Sequence, residues 1–199
     1  LYHEVRRLLY PETCYGYNSG GDPAAIPSLT YEMYQTFYKR FYQPSNARIF
    51  LYGKIDTAKT LPLIASALEP DERRMEKIEI PFQTRPVRTE ETHPYASSEE
   101  KDRTLLCDAW VVGRFDDYEK LMALNVLSEY LTGNNFSPLK APFLKAGLCE
   151  DVGMGVITDQ QASLLANFQN VKDGQAEACR KLFREYRGGK HGKHHGQCQ

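Results

Sequence analysis

Residues 148–171 read LCEDVGMGVITDQQASLLANFQNV, and the fold turns on how this stretch is read. Two apolar runs flank the polar pair Thr158-Asp159, a turn signal. In the second run Leu164, Ala166 and Phe168 alternate with Ser163, Asn167 and Gln169. A period of two is what a strand with one buried face produces. The pattern predicts a strand pair over 148–157 and 161–171. The first strand contains Gly153 and Gly155, and glycine inside a strand marks a bulge or a close approach of another backbone.

Upstream, Ser137-Pro138 reads as the N-cap and first residue of a helix that ends at Gly147. Downstream, Ala176, Cys179, Leu182, Phe183 and Tyr186 share one face of a helix over 174–186. Further upstream, residues 104–112 (TLLCDAWVV) form another strand, with Leu105, Cys107, Ala109 and Val111 facing one way and Leu106, Asp108, Trp110 and Val112 the other. A helix over 117–131 is apolar around most of its circumference and should be well buried, with Asp116-Asp117 as its cap.

The N-terminal part begins with helical spacing over 2–9, as if the chain started in mid-helix, and Pro11 stops it. Residues 12–29 are a turn-rich loop. A helix over 31–42, capped by Ser28 or Thr30, carries Tyr31, Tyr34, Phe37, Tyr38, Phe41 and Tyr42 as a stripe that reads as core, with the lining of a chamber as the competing reading. Residues 47–52 (ARIFLY) read as a buried strand closed by Gly53. Asp56 caps a helix over 57–68 that should bury Leu61, Ile64, Ala65 and Leu68. Residues 84–92 read as an edge-like strand because Pro86 excludes a central place. This order of elements suits an α+β, two-layer fold with a largely antiparallel sheet covered by helices. A charged, proline-broken stretch marks a domain boundary near 70–82, giving units over 1–80 and 81–187. Residues 188–199 hold no large hydrophobe and read as a disordered or non-native tail.

With 25 basic and 26 acidic residues among 199, the net charge is −1, and no basic face points to a nucleic-acid or membrane-surface partner. No apolar run approaches the roughly 20 residues of a membrane helix. Five cysteines without a C-x-x-C argue against a disulfide framework and for a reducing compartment, such as a bacterial cytoplasm or an organelle matrix.

Four segments in order carry a resemblance: LLYPETCYGYNSGGDPAAIPSLTYE, FYQPSNARIFLYGKID, RPVRTEETHP and SPLKAPFLKAGLCEDVGMGV. In content and spacing they resemble the pitrilysin/insulinase zinc metallopeptidases, in particular the presequence-protease and falcilysin-like clade, over roughly residues 5–186. The resemblance implies an enzyme of four related α+β domains closing around a chamber for short unfolded peptides. Zinc is held there by H-x-x-E-H and a distal Glu. This sequence has neither H-x-x-E-H nor H-E-x-x-H, so the resemblance implies no catalytic or metal residue here, and zinc belongs to the parent family. It further implies that 1–80 is the C-terminal part of the first, active-site-type domain, and 81–187 the N-terminal part of the second.

Gly147, Val152, Gly153, Met154 and Gly155 are the candidate substrate-binding residues. The resemblance puts their strand on the chamber wall, where an extended peptide would add to it; an ordinary strand with a glycine bulge is the competing reading. The expected partners are peptide substrate and the remainder of the peptidase chain, or a catalytic homologous subunit if this is a non-catalytic binding homologue. The loop Ser19–Pro23 reads as an anion nest or a structural turn. His191, His194, His195 and Cys198 have a spacing that can bind a soft metal, as isolated His-rich tails do adventitiously. His93 reads as an exposed loop residue.

Overall fold

The computed structural model describes residues 1–68, 79–94 and 104–188. The tail with its His and Cys, and most of the expected boundary segment, lie outside the described residues. Two compact units emerge, one formed by Leu1–Tyr17 with Ile80–Gln199 and the other by Asn18–Glu79.

The first unit is built on a three-stranded antiparallel sheet. β1 (Thr104–Arg114), β2 (Asp151–Thr158) and β3 (Gln161–Val171) lie in the order β1-β3-β2. β3 is central, paired with β1 from Thr104↔Val171 to Arg114↔Gln161 and with β2 from Asp151↔Gln169 to Thr158↔Ala162. β2 closes one edge. The strand pair expected around Thr158-Asp159 and the strand over 104–112 are both present, and the α+β class holds.

Helices cover one sheet face. Phe143 from α5 (Lys140–Lys145) and Phe183 from α6 (Ala176–Arg187) meet Phe168 of β3, with ring centroids 5.1 and 5.3 Å apart. Leu139, Cys149, Val152, Ala166, Val171 and Cys179 complete this core, and Leu106, Trp110 and Met154 are among those that pack against it. Each large buried apolar side chain contributes about 1.5–3 kcal/mol. Cys149 and Cys179 are buried there as small hydrophobes, and burial pushes the Cys149 thiol up to about 12. α1 (Tyr2–Leu9) is tied to the β2–β3 turn, where Arg6 Nε donates to Asp159 Oδ2 at 2.8 Å and the Tyr10 hydroxyl to the Gln161 carbonyl at 2.9 Å.

Several expectations fail here for identifiable reasons. α4 (Tyr118–Thr132) forms where its pattern predicts, but only Leu121, Ser128 and Thr132 are buried. A helix on a one-layer sheet buries one face, whatever its composition. Asp117 stands at its N-cap position without capping it, because its carboxylate accepts the Arg114 N–H at 2.8 Å instead. α5 starts at Lys140, two residues beyond the Pro138 start expected, because the Ser137 hydroxyl accepts from Asn134 N–H at 3.1 Å and the chain turns before it coils. Residues 84–92 form no strand; they are held by ion pairs, Glu90 to Arg180 and Glu91 to Arg7.

The second unit contains α2 (Tyr31–Phe41), capped by Thr30 Oγ1 on the Met33 N–H at 3.2 Å, and α3 (Thr57–Ala67), capped by Asp56. Both caps are as expected, yet the burial is not. None of its described residues is buried. The aromatic stripe of α2 is exposed except for the half-buried Phe41, Leu61 is exposed too, and residues 47–52 are irregular, with Phe50 87% and Tyr52 92% exposed. An apolar run becomes a strand only when it is paired with another strand, and the described residues of this unit form none.

Candidate functional site

The five candidate residues divide between two faces of β2 and its approach. Gly147 ends the α5 region at φ +63°, a left-handed conformation suited to glycine, and its N–H donates to the Leu144 carbonyl at 3.0 Å. Val152 is 0% exposed and belongs to the core; Met154 packs against the same core. Gly153 and Gly155 face the other way, and a Cβ built on either meets no atom within 4 Å. Only these two glycines form an open floor.

That second face takes its relief from the register. Gly153 lies opposite Asn167, which in turn lies opposite Cys107 of β1; Gly155 lies opposite Leu165, and Leu165 opposite Ala109. Residues directly opposite in an antiparallel pair project to the same face. Leu165 and Asn167 therefore project to the same face as the two glycines, Leu165 itself only 1% exposed. Asn167 Oδ1 is buried and has no hydrogen-bond partner. Asn167 was not among the sequence candidates, although its alternation with Phe168 put it on the face opposite the core.

The edge of β2 is partly capped. The Met154 N–H donates to Thr132 Oγ1, at the end of α4, at 3.0 Å. It therefore points away from β3, and by alternation so do the N–H groups of Val152 and Val156. At the start of the strand, the well-shielded Lys140 ammonium pairs with Asp151, and the Asn170 amide donates to Glu150.

Other candidates resolve differently. In the Ser19–Pro23 loop both glycine N–H groups are consumed by Asn18, Gly20 by its Oδ1 and Gly21 by its carbonyl, each at 3.0 Å, so the loop is a structural turn and no anion nest. His93 is exposed as expected, with Nε2 2.9 Å from Glu91 and 3.8 Å from Glu4. Arg7 engages both carboxylates, and its hydrogen bond is the main cause holding each below its ordinary range. Among the described residues no group of three or more His, Cys, Asp or Glu is arranged to hold a metal ion. No described helix is long and apolar enough to cross a membrane.

Comparison with known proteins agrees with this architecture. Residues 28–186 match the family model described as the peptidase M16 inactive domain. The chain is 37% identical over 156 residues to protein HypA of Clostridium perfringens, covering 74% of this chain and 16% of that protein. It is 33% identical over 163 residues to presequence protease 1, chloroplastic/mitochondrial, of Arabidopsis thaliana, covering 78% of this chain and 15% of that protein. The chain thus spans about a sixth of the length of these relatives. The crystal structure of a peptidase M16 inactive domain from Pseudomonas fluorescens superposes with a TM-score of 0.66 at 25% identity, over 92% of this chain and 45% of that one. The chain belongs to the M16 peptidase family, the pitrilysin/insulinase group that its sequence resembles, and is related to the presequence proteases.

Proposed function

We propose that this chain is the wall-forming, non-catalytic part of a zinc metalloendopeptidase that degrades short unstructured peptides in a closed chamber. In this reading residues 1–80 continue the active-site-type domain and 81–187 begin the inactive one. Hydrolysis, zinc and its ligands belong to the remainder of the peptidase, and the chain alone is inactive. Its own task is to hold an extended peptide. A non-catalytic homologue that binds peptide or a catalytic partner subunit is the second reading, and the match to an inactive domain is what favours it.

The observation that carries the binding role is the open floor of Gly153 and Gly155 on the edge strand β2. Backbone without side chains lets another backbone come close, and an edge strand has spare N–H and C=O groups to offer it. With the Met154 N–H on the Thr132 hydroxyl and Val152 0% exposed, the half-buried Val156 is the outward-facing position of that edge offered to a ligand.

The open space also supplies a clean test. Gly153→Val and Gly155→Val add a strand-favouring side chain where nothing obstructs it, so folding stability should hold or rise by up to about 1 kcal/mol. Binding of a fluorescein-labelled unstructured peptide, followed by anisotropy, should fall at least tenfold (about 1.4 kcal/mol). Unchanged affinity in both variants would remove the glycine floor from the binding site.

A further inference from the structure

We propose that the exposed face of α4 is the seam of a two-fold dimer, in which it packs antiparallel against the same face of a second copy of this chain. Peptide binding is assigned to β2, so neither role depends on the other.

α4 is 15 residues long. Its solvent side carries two rows at i, i+4 spacing, with Met122, Val126 and Tyr130 in one and Glu119, Ala123 and Leu127 in the other. All six are exposed, Met122 by 65%, Val126 by 64% and Tyr130 by 65%, and together they line a shallow depression. The opposite side of the helix, with Leu121, Ser128 and Thr132, is the buried one. The exposed rows therefore contribute nothing to the core of a single copy.

The order of these residues is what points to a second copy. A two-fold interface needs one patch that complements itself when its direction is reversed. About an axis beside Leu124 and Asn125, Glu119 comes opposite the partner's Tyr130 and Ala123 opposite the partner's Val126, and each pair forms twice. Met122 and Leu127, equally far from that axis, close the seam on its two sides. The small Ala123 at the centre lets the helix axes approach to about 8 Å, the short end of the usual range, with Val126 filling the space across from it. The ends match chemically as well. A carboxylate only accepts and a phenol O–H donates, so Glu119 and Tyr130 supply each other's partner. A parallel pair would instead set Glu119 against Glu119. One helix face buries less than about 1,200 Å² in total, the low end for a specific interface, so the dimer should dissociate on the order of 10 μM.

The test is sedimentation equilibrium on the 199-residue chain, with the fold of each variant checked by circular dichroism. The wild type should show a monomer–dimer equilibrium centred on the order of 10 μM. Tyr130→Glu sets two carboxylates against each other at both ends of the seam and should weaken the dimer about tenfold or more. Tyr130→Lys puts an ammonium opposite Glu119 and should keep the wild-type affinity within about threefold, since an exposed ion pair is worth little either way. Glu119→Lys combined with Tyr130→Glu should restore what Tyr130→Glu alone removes. In a parallel pair Tyr130→Lys would oppose two ammonium groups, so a loss equal to that of Tyr130→Glu overturns the antiparallel seam. A wild type that stays monomeric up to about 100 μM, far above the range expected for a face of this size, overturns the dimer and leaves α4 to a different partner, such as the remainder of a longer polypeptide. A dimer indifferent to Tyr130→Glu overturns the assignment to α4.

Discussion

Asp108 projects from β1 opposite Ala166, on the helix-covered face. Burial pushes its carboxyl up; Arg180 and Arg187 pull it down, Glu90 adds to the rise, Arg184 opposes it, and the net direction is upward. A carboxylate with a raised folded-state pKa is most compatible with the fold while protonated. Its contribution is fully present below the unfolded pKa, about 3.9, and is lost as pH rises through the folded value. At neutral pH the charged Asp108 therefore opposes folding. Asp108→Asn should raise stability at pH 7 by up to about 1 kcal/mol and leave it unchanged or lower at pH 3. Urea midpoints at the two pH values check this, and a lower midpoint at pH 7 would mean that the arginines, rather than burial, control the carboxylate. Glu4 has the opposite sign: Arg7 holds its carboxyl down, so the stability it adds is present at neutral pH and fades as pH falls through the folded value. The two sites can thus be separated by the direction of their pH dependence.

At the scale of elements, composition was a reliable guide to the helices and to the three strands of the sheet, but not to residues 47–52 and 84–92, which form no strand, and it was a poor guide to what the elements touch. β3 could be read because its alternation reports a face with a real neighbour, the phenylalanine core beneath it. Residues 47–52 have an equally apolar run, but a strand is a relation between two segments and the sequence of one does not contain the other. The glycine floor was legible for the same local reason, since Gly153 and Gly155 announce missing side chains. The Asn167 acceptor was not, because being unpartnered is a property of the surroundings. α4 shows the limit most clearly. Its all-round apolar surface predicts burial, whereas Met122, Val126 and Tyr130 remain exposed along one side, with Ala123 and Leu127 in a shallow depression beside them. Such a patch is prone to self-association. Val126→Glu with Tyr130→Glu removes no core contact, so the unfolding midpoint should move by less than about 0.5 kcal/mol. Sedimentation velocity should shift toward a single monomeric species at micromolar concentration. A wild type that is already monomeric at those concentrations would rule this face out as a self-association surface.

For the whole molecule, the consequence follows from where the buried residues are. Every buried residue among those described, from Val5 to Phe183, lies in the unit formed by residues 1–17 and 80–188, and none lies in the unit formed by residues 18–79. Packing of an apolar face supplies most of a helix's stability, and short helices without it are marginal in water. α2 and α3 are 11 residues each, with good caps and no buried side chain to retain them. The two units should therefore open on different free-energy scales. In native-state hydrogen exchange, amides of α2 and α3 should exchange with protection near zero, while those of β3 should approach the global unfolding free energy. If the chain works as a section of a longer peptidase, the same α2 and α3 amides should become protected in that longer polypeptide, because the tyrosine stripe and the Ile49–Tyr52 run would then gain apolar cover. Protection of α2 in the 199-residue chain equal to that of β3 would show that this unit already has its own core, and would remove the exposed surface as a reason to look for the remainder.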